Sequence, residues 1–117
     1  MKRILIVDDS RVARKMIRNA LELAGFEVVA EAINGKEGLE LFEKLQPDVV
    51  IMDNTMPEMN GLEATRAIKQ QSANVKVIVI SALGADSKKI EAIKAGAETY
   101  ITKPYDNKDI IDAINNC

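Results

Sequence analysis

The chain has 117 residues, a net charge of -2 and a sequence pI of about 5.2, with 47% hydrophobic and 29% charged residues. That balance fits one soluble domain of ordinary size, and without a basic surplus or more than 3% aromatics it argues against direct nucleic-acid binding. The sequence has no histidine, which excludes phosphohistidine formation on this chain, histidine general-base catalysis and histidine-ligated zinc.

Cys117 is the single cysteine, so an internal disulfide is impossible and nothing points to an oxidising compartment. At the chain end it reads as an exposed thiol. No apolar run approaches the roughly 20 residues of a membrane span. Met1-Lys2-Arg3 leads into a run too short for a signal peptide. A cytoplasmic monomer without membrane contact is expected.

The first apolar run covers residues 3–8 and ends in Asp8-Asp9. From Ser10 to Ala24 the apolar positions Ala13, Met16, Ile17, Ala20, Leu21 and Ala24 recur at helical spacing, and Gly25 supplies a stop. Arg11, Arg14, Lys15 and Arg18 then fall on the outer face, as a solvated basic stripe or a docking surface. A second strand is read at 27–32. Asn34 followed by Glu37 marks the start of a helix running to about Leu45, before Pro47. The third strand, 48–53, ends in Asp53. Asn60 and Glu63 repeat the start signal for a helix to about Gln71. The fourth strand, 75–81, ends in Ser81; Asp86 can cap the next helix, which stops at Gly96. The fifth strand, 98–103, ends in Lys103, and Asp106 can cap a last helix with Ile110, Ile111 and Ile114 inward.

Strands that are apolar without alternation are buried on both faces, the mark of a parallel sheet covered by helices. Right-handed crossovers then lead to a five-stranded, doubly wound, flavodoxin-like (βα)5 sheet of order 2-1-3-4-5. The expectation is one domain over 1–117. In such sheets ligands bind in the crevice outside the carboxyl ends of the strands. Asp8, Asp9, Asp53, Ser81 and Lys103 all fall there.

Each of these residues has an ordinary reading by itself. Asp8-Asp9 can be a helix cap, Ser81 a loop hydroxyl and Lys103 a solvated terminal charge. Asp53 after a fully apolar strand is harder to place, because an unpaired buried carboxylate is costly. Three clustered carboxylates call for a cation, and Mg2+ suits them because it takes one or two carboxylates, keeps waters and completes its shell with phosphate oxygens. Lys103 and Ser81, flanked by the small residues Ala82, Gly84 and Ala85, then read as phosphoryl ligands.

The ordered set Leu5-Ile6-Val7-Asp8-Asp9-Ser10, Asp53-Asn54-Thr55-Met56-Pro57-Glu58-Met59-Asn60-Gly61, Ser81-Ala82 and Lys103-Pro104 resembles the response regulator receiver domains, in particular their single-domain chemotaxis (CheY-like) type. The resemblance covers essentially the whole chain. It implies that Asp53 accepts a phosphoryl group, that Asp9 binds Mg2+ directly and Asp8 through water, and that Thr55 contributes its backbone carbonyl. It further implies that Ser81 and Lys103 hold phosphoryl oxygens, that Ser81 and Tyr100 form the switch, and that Lys103-Pro104 is cis. Asn54, Thr55 and Leu83 stand where the family tunes phosphate lifetime. The implied partners are a histidine kinase and a downstream target, a flagellar motor switch or a phosphatase in chemotaxis, contacted through the fourth helix, fifth strand and fifth helix around Lys88, Lys89, Glu91, Lys94 and Tyr105.

Such a chain is not an enzyme beyond its own phosphorylation and dephosphorylation. The chain lacks the Gly-rich Lys-Ser/Thr loop that cradles nucleotide phosphates, so the phosphoryl group must come from a phosphohistidine or a small acyl phosphate. A receiver cut from a larger regulator is the alternative within the family. Two other classes compete. Aspartate-nucleophile phosphatases want a second aspartate where this chain has Thr55, and a flavodoxin-like electron carrier wants a phosphate-binding loop where it has Asp8-Asp9.

Overall fold

The computed structural model describes residues 2–53, 61–81 and 86–117, with the side chains of 86–89 excepted. Expectations that rest on residues 54–60 and 82–85 lie outside the described residues, as do those on the side chains of Asp86, Lys88 and Lys89. Thr55, Asn60 and Leu83 are among them.

The elements alternate as expected: β1 (Arg3–Val7), α1 (Arg11–Leu23), β2 (Glu27–Ala32), α2 (Gly35–Leu45), β3 (Val49–Asp53), α3 (Gly61–Gln71), β4 (Lys76–Ser81), α4 (Asp86–Lys94), β5 (Thr99–Thr102) and α5 (Asn107–Asn115). All four strand pairings are parallel and the order is β2-β1-β3-β4-β5. This is the doubly wound arrangement of flavodoxin and of CheY-type receivers.

Strand alternation divides the core in two. Leu5, Val7, Val50, Met52, Val77 and Val79 face Phe42 of α2, Leu62 and Ile68 of α3 and Ala92 of α4. Ile4, Ile6, Val49, Ile51, Ile78 and Ile80 face Ile17 and Leu21 of α1 and Ile110 and Ile114 of α5. The sheet is sealed on both sides, which is why its three central strands read as unbroken apolar runs.

The helix ends follow local chemistry. Ser10 Oγ accepts from the Ala13 amide at 3.2 Å, and Asn34 Oδ1 accepts from the Glu37 amide at 2.8 Å. Each side chain thus satisfies an amide that has no partner within its helix. Gly25 and Gly96 follow α1 and α4 at φ +93° and +108°, where a side chain would be strained. At α5 the Asp106 amide donates to Asp109 Oδ2 at 3.0 Å. α4 begins at Asp86 itself.

Three expectations need correction. Met16 and Ala24, placed on the inner face of α1 by periodicity, are exposed, Met16 by 57%. The covered arc of α1 is narrower than its apolar stripe, so Ile17 and Leu21 alone are fully buried. Arg14 and Arg18, read as outward, turn in to Glu31 of β2, at 3.1 and 2.5 Å. Cys117 is half-buried; its thiol donates to the Ala113 carbonyl at 3.0 Å, and burial pushes its pKa up.

Candidate functional site

Register brings the candidate residues to one edge. Val7 pairs with Met52, so Asp8 and Asp53 leave adjacent strands at the same level. Asp53 pairs with Ile80, one residue before Ser81, and Ser81 pairs with Thr102, one residue before Lys103. The Lys103 amide donates to the Ser81 carbonyl at 2.8 Å, and the peptide to Pro104 is cis.

Asp53 is 2% exposed, Asp8 4% and Ser81 1%, whereas Asp9 is exposed. The carboxylate oxygens of Asp8, Asp9 and Asp53 lie within 4.8 Å of one another. Lys103 Nζ stands 3.5 Å from Asp53 Oδ1. Asp8 Oδ1 accepts from the Ser10 amide at 2.8 Å. Even so, burial, followed by the charges of Asp53 and Asp9, pushes the Asp8 pKa up to about 6; the Ser10 bond and Lys103 offset only part of this.

These residues fit a hard divalent cation. All the donors are oxygens, two of the three carboxylates are buried, and the Asp8 pKa is raised by burial first and then by the charges of Asp53 and Asp9, so a cation would offset the cost of ionising it there. Asp9, the exposed member, leaves the cluster open to a ligand from solvent.

Two nearby residues escaped the sequence reading of the site. Arg14 donates from Nη1 to the Asp8 carbonyl at 2.7 Å. Its position in a helical charge pattern gave no sign of that, because Glu31, its anchor, is 17 residues away. Tyr105, expected only on an output surface, is half-buried against the α1–α5 side of the core. Burial and then the charges of Asp8 and Asp53 push its phenol pKa up. Tyr100 packs against the opposite core, the one that includes Ala92 of α4.

The family profile described as the response regulator receiver domain matches residues 4–115. The chain belongs to that family. It is a receiver domain of a two-component system, a signalling module rather than a classical enzyme. The chemotaxis protein CheY of Thermotoga maritima is 47% identical to this receiver over 114 residues, which span 97% of this chain and 95% of that protein. CheY of Bacillus subtilis is 49% identical over 113 residues, 97% and 94% of the two chains. Among solved structures, a chain of the CheX–CheY–BeF3–Mg2+ complex from Borrelia burgdorferi superposes with a TM-score of 0.93 at 31% identity, covering 98% of this receiver and 87% of that chain. Among the described residues of this receiver, no helix is long and apolar enough to cross a membrane.

Proposed function

We propose that this receiver accepts a phosphoryl group on Asp53 and works as a chemotaxis-type switch. The observation that carries the reading is the buried Asp53 carboxylate, with Lys103 at 3.5 Å and two further carboxylates within 4.8 Å. The CheY proteins that match nearly end to end support the chemotactic assignment.

Asp53 supplies the nucleophile. One of its carboxylate oxygens bonds to phosphorus as the bond from phosphorus to the donor breaks, and the donor leaves with that electron pair. The product is an aspartyl phosphate. Lys103 and the Ser81 hydroxyl hold phosphoryl oxygens and stabilise the charge that develops on them. Asp9 and Asp53 would hold Mg2+ directly, Asp8 through water and Thr55 through its backbone carbonyl. When bound, Mg2+ supplies charge neutralisation at the phosphoryl oxygens. A histidine kinase or a small acyl phosphate is the donor. The output partner is a protein, a flagellar motor switch or a phosphatase, read through α4, β5 and α5. The domain spans 1–117 and acts as a monomer in the cytoplasm, and its only catalysis is its own phosphorylation and dephosphorylation.

The test is incubation with acetyl phosphate and Mg2+, followed by intact mass. Wild type should gain one hydroxylamine-labile phosphate and Asp53→Asn none. Phosphate uptake by Asp53→Asn at the wild-type rate would remove the assignment.

A further inference from the structure

The guanidinium of Arg14 is where α1, β1 and β2 meet. Helical side chains lean toward the N-terminus of their own helix, so Arg14, one turn into α1, reaches back over the Asp8-Asp9 corner. Its Nη1 donates to the Asp8 carbonyl at 2.7 Å and its Nε to Glu31 Oε1 at 3.1 Å. Arg18, one turn further along, occupies the other Glu31 oxygen at 2.5 Å. The Arg14 side chain is only 13% exposed and that of Glu31 25%. Charged hydrogen bonds with this little solvent competition hold geometry well.

The carbonyl that Arg14 grips belongs to the peptide joining Asp8 to Asp9. The Asp8 amide on the other side donates to the Ala32 carbonyl at 3.0 Å, and the Asp8 side chain is tied to the Ser10 amide. Asp9 has an exposed side chain at this corner. The plane of the peptide before it is one determinant of where that side chain can reach, and the Arg14 bond restrains the carbonyl of that peptide.

We propose that Arg14, anchored by Glu31, is a positioning residue of the metal site: it orients the Asp8–Asp9 peptide and so sets the affinity of Asp9 for a divalent cation. Groups that orient a metal ligand without touching the metal commonly change affinity by about 10–100-fold when removed. The inference rests on the proposed role of Asp9. Arg18 provides the internal control, because it shares Glu31 and also reaches the Val28 carbonyl, while the grip on the Asp8 carbonyl is Arg14's.

The experiment is a Mg2+ titration of the metal-free full chain, followed by the backbone amide shift of Asp9. Arg14→Ala should raise the Kd about tenfold or more. Arg14→Lys, the milder change, should raise it several-fold, because one ammonium cannot reproduce the two-ended reach of the fork. Arg18→Ala should leave the Kd unchanged while lowering the melting temperature. A wild-type Kd in Arg14→Lys and Arg14→Ala would overturn the proposal; if Arg14→Ala does not fold, a wild-type Kd in Arg14→Lys does so alone. Equal weakening in Arg18→Ala would also overturn it, by showing general loosening. If wild type itself gives no saturable shift at Asp9, the metal reading falls first and this inference with it, which separates the two failures.

Discussion

Nζ of Lys103 stands 3.5 Å from Oδ1 of Asp53, a 39% exposed side chain against a carboxylate that is 2% exposed. The ammonium can therefore move with little desolvation cost, while the carboxylate cannot leave. A contact that strengthens when Asp53 carries a phosphoryl group is differential between two states, and only differential contacts shift an equilibrium. Lys103→Ala should bind Mg2+ within a few-fold of wild type, yet beryllofluoride should no longer shift the amides of α4. Lys103→Arg should not restore the response, because its planar fork has a different reach. Full wild-type α4 shifts in Lys103→Ala would refute this. Metal-free Lys103→Ala should lose roughly 1–2 kcal/mol in denaturant titration, less than a fully buried pair would because Lys103 is partly solvated.

Mg2+ should stabilise the folded chain by mass action, since the three carboxylates converge only when it is folded. At a hundred times its Kd the gain is about 2.7 kcal/mol, a rise on the order of 10 °C in melting temperature for a domain of this size. Asp9→Ala should abolish the rise. A chelator should reverse it in wild type. An unchanged wild-type melting curve at saturating Mg2+ would count against the cluster as a metal site.

The metal-free protein should lose stability as pH rises through the Asp8 titration. The Asp8 pKa is raised from 3.8 to about 6 in the folded chain, by burial first and then by Asp53 and Asp9. Between those values the folded state holds a proton that the unfolded chain has released, so unfolding free energy falls with pH. Below about pH 4 the group costs nothing; above about 6 the penalty is complete, roughly 1–3 kcal/mol. Asp8→Asn should therefore be more stable than wild type at pH 7.5 and nearly equal at pH 4, in urea titrations without metal. A wild-type stability advantage at pH 7.5 would contradict the reading. Mg2+ binding should follow the opposite trend and weaken below about pH 6, because a proton on Asp8 removes negative charge and an acceptor for a metal-bound water.

Ser81 is 1% exposed and pairs through β4 with Thr102, while Tyr100 lies two residues earlier on β5 and packs on the core that contains Ala92 of α4. A buried hydroxyl drawn toward the phosphoryl group would vacate space that Tyr100 can enter. A crystal structure with Mg2+ and beryllofluoride should show Ser81 Oγ on the fluoride and Tyr100 turned inward, changing the surface around Glu91, Lys94 and Tyr105. Coupling of about 1–3 kcal/mol suffices for such a switch. Unchanged rotamers at both residues, with partner affinity still enhanced, would place the signal on another surface.

The alternation of elements, the sheet order and the set of residues that reach the carboxyl edge were all legible in the linear chain. Apolar runs at β1, β3 and β4 can only be buried in a two-sided sheet, right-handed crossovers leave few ways to thread them, and a polar residue closing each run must then emerge at the same rim. Residues 54–60 and 82–85, where Thr55 and Leu83 stand, lie outside the described residues.

Which neighbour stands opposite each side chain was decided only by the tertiary structure. Periodicity reports a face relative to a helix's own axis, so it assigned Met16 and Ile17 alike to the inside of α1, where packing buries Ile17 and leaves Met16 in solvent. The same limit hid Arg14: a basic residue on α1 looks solvated until β2 carries Glu31 beneath it and β1 ends its carbonyl against it. Cys117 turned from a free end into a half-buried donor to Ala113. The raised proton affinity of Asp8 arises in the same way, because burial and the approach of Asp53 are properties of two strands brought side by side and of neither strand alone.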